Sequence, residues 1–181
     1  TIQVFAGDYE EEFPLTVPSN VTVQGVDMRN TIIKPTTATN TNNCFLMSGE
    51  STVQNLTIKD FYTGSAFSFV SGCVISTRSP YIQNVTVVTK GSVVSASDPR
   101  GFAQGDAGKG ALVDGASVTS ASEEASMLFH SVTFITPNAS GLKVTNGARV
   151  EWLNCFTYFA DKGIEILEGA TGLKGDGKTR I

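Results

Sequence analysis

Acids that recur at matching places along the chain are the first residues whose types and spacing could do chemistry. Hydrolysis of a glycosidic bond needs two carboxyl groups about 5 to 9.5 Å apart. Acids one or two strands apart in a parallel ladder would meet that requirement, because neighbouring strands lie about 4.8 Å apart. Asp114 and either Glu165 or Glu168 fall at such places, but the copy of the pattern between them offers Thr145 or Asn146. Solvated outward charge is the plainer account of these acids. A second group, Asp98, Arg100, Asp106 and Lys109, crowds one glycine-containing stretch. It is the nearest approach in the chain to clustered acids with an arginine base, yet it lacks a defined cage, so these four stand as ligand-binding candidates. Trp152 is a fifth, a flat platform for a sugar ring, weighed against a plainer role in packing. His130 is the sole histidine and has no Ser or Cys partner in a recognisable motif, which favours a surface side chain. Gly105-Asp106-Ala107-Gly108-Lys109-Gly110 lacks the Ser or Thr and the helix that a phosphate loop requires. No catalytic residue, metal or cofactor is assigned.

The elements that must position these residues announce themselves by repetition. Val21-Thr22-Val23-Gln24-Gly25-Val26, Thr52-Val53-Gln54-Asn55-Leu56-Thr57-Ile58 and Tyr81-Ile82-Gln83-Asn84-Val85-Thr86-Val87 share one pattern. Val23 and Val53 are 30 residues apart, and Val53 and Ile82 are 29 apart. A short strand-like word at such a period signals a solenoid. Two looser copies follow at Phe129–Phe134 and Val150–Phe156, and place Ser131 and Asn154 in line with Gly25, Asn55 and Asn84. An inward Asn at that place would bond the backbone of its own bend and stack on the Asn of the next copy. The outward place two residues before the core position reads Gln24, Gln54, Gln83, His130, with no acid.

A second column runs through Cys44-Phe45-Leu46-Met47, Cys73-Val74-Ile75-Ser76, Gly110–Gly115, Gly141–Gly147 and Gly163–Gly169. The spacing predicts an all-β fold, a right-handed parallel β-helix of about six coils, each of roughly 22–30 residues, in one domain over 1–181. One loop insertion is expected around 89–109, and Ser120 to Ser126 offers one turn with a weak capping box. No amphipathic helix of 10 or more residues is found. Val23, Phe45, Leu56, Ile58, Ile82, Val85, Val113, Val144, Phe156 and Ile166 should be buried.

Composition narrows the partners. Net charge is −4 and the 13 Lys and Arg are scattered, so no basic patch for nucleic acid is expected. No apolar run approaches the 18 residues of a transmembrane helix, so no membrane insertion is expected. Cys44, Cys73 and Cys155 are an odd set without CxxC spacing, which favours reduced core side chains over a metal site or a full disulfide framework. The chain enters a strand directly at Thr1–Phe5 and ends at Gly175–Ile181 without a polar cap, which reads as a segment of a longer protein. Asn-x-Ser/Thr at Asn20, Asn55, Asn84 and Asn138 is what a Thr-rich strand repeat contains by composition.

Val4–Glu11 followed by Val17–Gly25 resembles the opening coil of pectin-lyase-like right-handed parallel β-helices. Gly110–Gly115 through Ser120–Phe129, and Asn146–Asn154, resemble virion structural proteins of tailed phages that infect cyanobacteria. The resemblance implies a tail-fibre or tailspike component located in the virion. It implies other virion proteins as partners, homotrimerisation by analogy with phage fibres, and a host-surface glycan as ligand. The alternative it implies is a polysaccharide depolymerase of tailspike type whose active site lies partly outside this segment. Words typical of polygalacturonases, such as paired Asp or Gly-His-Gly, are absent.

Overall fold

The computed structural model describes residues 1–36, 42–90, 108–119 and 125–167. Within them the chain is all-β, with fifteen strands and one 3-10 turn, Gly115–Ser117. The strands are β1 (Ile2–Val4), β2 (Gly7–Glu11), β3 (Leu15–Val17), β4 (Thr22–Gly25), β5 (Thr31–Pro35), β6 (Phe45–Met47), β7 (Thr52–Lys59) and β8 (Ser65–Phe69). They continue as β9 (Tyr81–Val88), β10 (Lys109–Asp114), β11 (Ser126–Ile135), β12 (Ser140–Thr145), β13 (Arg149–Leu153), β14 (Phe156–Tyr158) and β15 (Lys162–Ile166).

All strand-to-strand ladders are parallel. The first runs β1, β4, the first halves of β7, β9 and β11, then β13. A second runs β2, β5, the second halves of β7, β9 and β11, then β14. The third, a separate six-stranded sheet, runs β3, β6, β8, β10, β12, β15.

What divides the long strands is a single residue in the left-handed region. Asn55, Asn84, Ser131 and Asn154 have φ of 57°, 50°, 55° and 51°. Asn tolerates this conformation better than most residues. Each one interrupts the in–out alternation, so two outward residues stand together: Gln54 and Asn55, then Gln83 and Asn84. The chain bends there, and the next residue (Leu56, Val85, Val132) returns to the interior. These Asn side chains lie on the outside, not inward as the sequence suggested, but they do stack: Asn84 Nδ2 donates to Asn55 Oδ1 at 3.2 Å, and Asn154 Nδ2 to Ser131 Oγ at 3.1 Å. Gly25 occupies the same place one strand earlier, where a Cβ would meet the carbonyl oxygen of Asn55 at 2.1 Å. That clash with backbone excludes any side chain.

The interior is shared by the three ladders. In the first, Val23, Val53, Ile82, Phe129 and Trp152 fall in register. In the second, Ile33, Ile58, Val87 and Phe134 do so. Phe45, Phe67, Ala111 and Leu142 form the matching column of the third. Aromatic rings join them across the core: Phe67 to Phe129 at 6.2 Å, Phe129 to Phe134 at 5.9 Å and Phe134 to Trp152 at 5.3 Å between centroids.

Of the residues expected to be buried, Phe45, Leu56, Ile58, Ile82, Val85, Val113 and Val144 are, and Val23 is half-buried. Phe156 is 50% and Ile166 47% exposed. Phe156 pairs with Thr133, an outward position, because Cys155 takes the first inward place after the bend at Asn154. Ile166 is in register with buried Val144 but lies in the last strand of its ladder.

The second sequence column also needs one correction. Ser65–Phe69, not Cys73–Ser76, pairs with Phe45–Met47, so Cys44 and Cys73 do not share a column. Ser65–Phe69 is buried throughout, whereas the Gly72 turn and Ser76 that flank Cys73 are exposed. All three cysteines are free, and Cys44 and Cys73 are buried. The outer bounds of the expected 89–109 insertion belong to the described framework. Thr89 and Lys90 still bond to Ile135 and Phe61, and Lys109 opens β10; residues 91–107 lie outside the described residues. So do 120–124 of the expected capping box.

Candidate functional site

The outward face of the first ladder carries a mixed set of polar and aromatic side chains. Parallel pairing puts whole rows in register there. One row is Thr52, Tyr81, Leu128 and Glu151. The next is Gln24, Gln54, Gln83, His130 and Leu153. Residues two apart on a strand share a face, so both rows look outward together. The first row, with Glu50, Arg78 and Ser79 from the turns that precede β7 and β9, lines a groove of about 350 Å³. Clefts that hold small ligands typically measure about 300–1,000 Å³.

Several groups in the groove are fixed by their partners. Tyr81 Oη lies 2.8 Å from Nδ1 of His130, whose ring is nearly parallel to that of Tyr81 at 6.4 Å between centroids. Gln83 Nε2 lies 3.4 Å from the same nitrogen. The Glu50 carboxylate accepts from the Thr77 amide at 3.1 Å, from the Thr77 hydroxyl at 2.9 Å and from Asn20 Nδ2 at 3.2 Å. Its backbone is itself at a bend, with φ 64° and its N–H donated to the Arg78 carbonyl at 2.9 Å. The hydroxyls of Ser79 and Ser126 bond to each other. Glu151 has Arg149 at 3.8 Å. The Arg78 side chain has no ion pair or hydrogen-bond partner among the described residues, although it lines the groove.

This arrangement can hold a polar, ring-shaped ligand: the hydroxyls of Thr52 and Ser79 to bond it, Tyr81 and Leu128 for its apolar face, and the Arg78 guanidinium. It does not resemble a metal centre, since no group of three His, Cys, Asp or Glu among the described residues could hold an ion.

The candidates named from sequence fall elsewhere. Asp98, Arg100 and Asp106 lie outside the described residues. Lys109 is half-buried in β10, beside Ser65 of the third ladder and away from the groove. Trp152 is in the inward column and stacks on Phe134 with 13° between ring planes. The acids weighed as a pair are not in line: Asp114 pairs with Thr145 and Glu165 with Lys143, two residues earlier on β12. Each is committed to the scaffold. Asp114 Oδ1 accepts from Ala116 N at 3.0 Å and from Asn146 Nδ2 at 2.7 Å. Glu165 accepts from Lys162 at 2.6 Å and from Ser140 at 3.1 Å. The Lys162 bond, more than Ser140 or Lys143, holds the Glu165 carboxyl below its usual range against the opposing effect of partial burial. Glu168 lies outside the described residues.

Arg78, Tyr81, Glu50 and Glu151 carry no motif that marks them as site residues in the sequence. The signal was present: Thr52, Tyr81 and Glu151 hold the outward place one step before the Gln24–Gln54–Gln83–His130 column. Comparison of the chain with known protein families, curated proteins and solved structures gives no match.

Proposed function

We propose that this chain is a right-handed parallel β-helix of about six coils that serves as a rigid, non-catalytic segment of a tailed-phage tail fibre or tailspike, with the groove on its first face as a contact for host-surface glycan. The observation that carries the architecture is the order of pairing. The chain enters the first, second and third ladders in turn and repeats that sequence from β1–β2–β3 through to β13–β14–β15. A single coil winding around one shared core accounts for this, and the right hand follows the rule for parallel crossovers. Rows of Gln54, Gln83 and His130 beside Tyr81 give the outer face hydrogen-bonding groups on a stiff support, as glycan recognition requires. The virion role and assembly as a trimer with other virion proteins rest on the resemblance of Gly110–Phe129 and Asn146–Asn154 to phage structural proteins.

A second reading, a glycan depolymerase completed by residues beyond this segment or by a neighbouring subunit, draws on the Tyr81–His130 pair beside two carboxylates, Glu50 and Glu151. Incubation with purified host lipopolysaccharide or exopolysaccharide separates the two. The favoured reading expects retention of the protein on the polysaccharide with no new reducing or unsaturated ends. Cleavage at a rate that Tyr81→Phe or His130→Ala abolishes would replace it with the second.

A further inference from the structure

We propose that Arg78 makes the groove selective for an acidic sugar unit, one carrying a carboxylate or an ester sulfate. This deepens the glycan-binding reading and rests on it. Most polar groups lining the groove already have partners within the fold. Glu50 has three donors on its carboxylate. Glu151 shares its charge with Arg149. Tyr81, Ser79 and Ser126 are bonded to partners within the fold. What remains is the Arg78 guanidinium, exposed, facing the groove and without an ion pair among the described residues. A guanidinium offers a planar fork of donors that matches a carboxylate or sulfate in bidentate geometry.

The surroundings support that use. Arg78 sits in the turn that opens β9, and its own carbonyl is tied to the Glu50 amide at 2.9 Å, so its backbone is anchored. Tyr81, three residues on, is held against His130 and presents a fixed ring edge, and Leu128 pairs with Tyr81 on the next strand. Thr52, Arg78, Tyr81 and Leu128 line the one groove, so a pyranose resting on Tyr81 and Leu128 would turn its hydroxyls to Thr52 and its acidic substituent to Arg78. Of the two acids at the rim, Glu151 pairs with Arg149 at 3.8 Å, and Glu50 keeps its charge but is held in place by three neutral donors, two on Oε1 and one on Oε2.

The test uses immobilised bacterial surface polysaccharides, some bearing uronate, pyruvate ketal or sulfate groups and some neutral, with each uronate polymer also presented after chemical reduction of its carboxyl groups to alcohols. The expected result is binding of acidic polymers only, loss on carboxyl reduction, and weakening by about tenfold or more in Arg78→Gln with partial recovery in Arg78→Lys. Arg78 is exposed, so both variants should melt with the wild type, which a thermal scan verifies. Equal binding of a polymer before and after reduction overturns the acidic selectivity while leaving glycan binding intact. Acidic binding unchanged in Arg78→Gln overturns the placement at this groove. Binding of no polymer at all overturns both this inference and the glycan-contact role.

Discussion

Asn84 donates from Nδ2 to Oδ1 of Asn55 at 3.2 Å, and both residues hold left-handed backbone, at φ 50° and 57°. The pair therefore joins two functions at one bend. It supplies the residue type that tolerates positive φ, and it links one strand to the next. Asn84→Ala loses both and should cost about 1–3 kcal/mol, from the left-handed penalty plus one hydrogen bond. Asn84→Gly keeps the conformation and loses only the bond, so its cost should be about 1 kcal/mol or less. Urea unfolding of the two variants measures the difference; equal losses would mean that the φ angle is not what the bend selects.

Leu56 is the first inward residue after that bend and is fully buried beside Val85 in register. Leu56→Ala should lower stability by about 2–5 kcal/mol. Leu56→Asp places an unpaired charge in the core at a cost of several kcal/mol and should prevent folding. A soluble Leu56→Asp protein that unfolds cooperatively would refute this burial.

Trp152 belongs to the interior, with its ring against Phe134 at 5.3 Å and Phe129 at 5.7 Å. Trp152→Ala should lower stability by about 2 kcal/mol or more while leaving the polysaccharide affinity of the folded fraction unchanged. Tyr81→Phe should do the reverse, weakening glycan binding with a stability change of about 1 kcal/mol or less. Parallel melting and binding measurements separate the roles; a selective loss of affinity in Trp152→Ala would restore it as a sugar platform.

Glu165 has its carboxyl lowered from the ordinary 4.5, chiefly by the Lys162 hydrogen bond. A depressed carboxyl adds stability that is present above the unfolded value and is lost as pH falls through the folded one. Stability should thus fall as pH is taken below about 4.5. Lys162 is raised by the same bond, so its share is present below the ordinary lysine value of 10.5 and fades as pH rises past it. In Glu165→Gln the acid-side slope should flatten in denaturant titrations from pH 7 to 3. An identical slope in the variant would mean that this contact does not govern the acid response.

The register of the first ladder was legible from three copies of one word, because the period fixes which residues become neighbours: Val23, Val53 and Ile82 pair as their spacing requires. The bend residues were legible too, since Asn at a repeated place has few other uses. Cys73–Ser76 misled because a cysteine at one repeat from Cys44 mimics a column, whereas the strand that pairs, Ser65–Phe69, sets Phe67 and Phe69 against Phe45 and Met47 but carries no cysteine to mark it. Phe156 misled because the bend at Asn154 moves the inward place to Cys155. The groove was the least legible part. Its members come from turns and outward positions in different copies, and no single stretch of chain contains two of them in a recognisable motif. Parallel register brings Tyr81 and Glu151 to one face, and the turn before β7 adds Glu50.

Among the described residues, no strand ladders with the strand next to it in the chain. Even the shortest-range ladders, such as Ile2 with Val23 or Phe45 with Phe67, skip at least one intervening strand. The described residues consequently offer no hairpin from which to nucleate. Closing loops of about twenty residues or more before any ladder bond forms is costly in entropy and slow. Once a ladder has its first paired strands, each further strand finds an edge already formed. Refolding from denaturant should then be limited by a slow seeding event followed by rapid accretion of strands onto the three ladders.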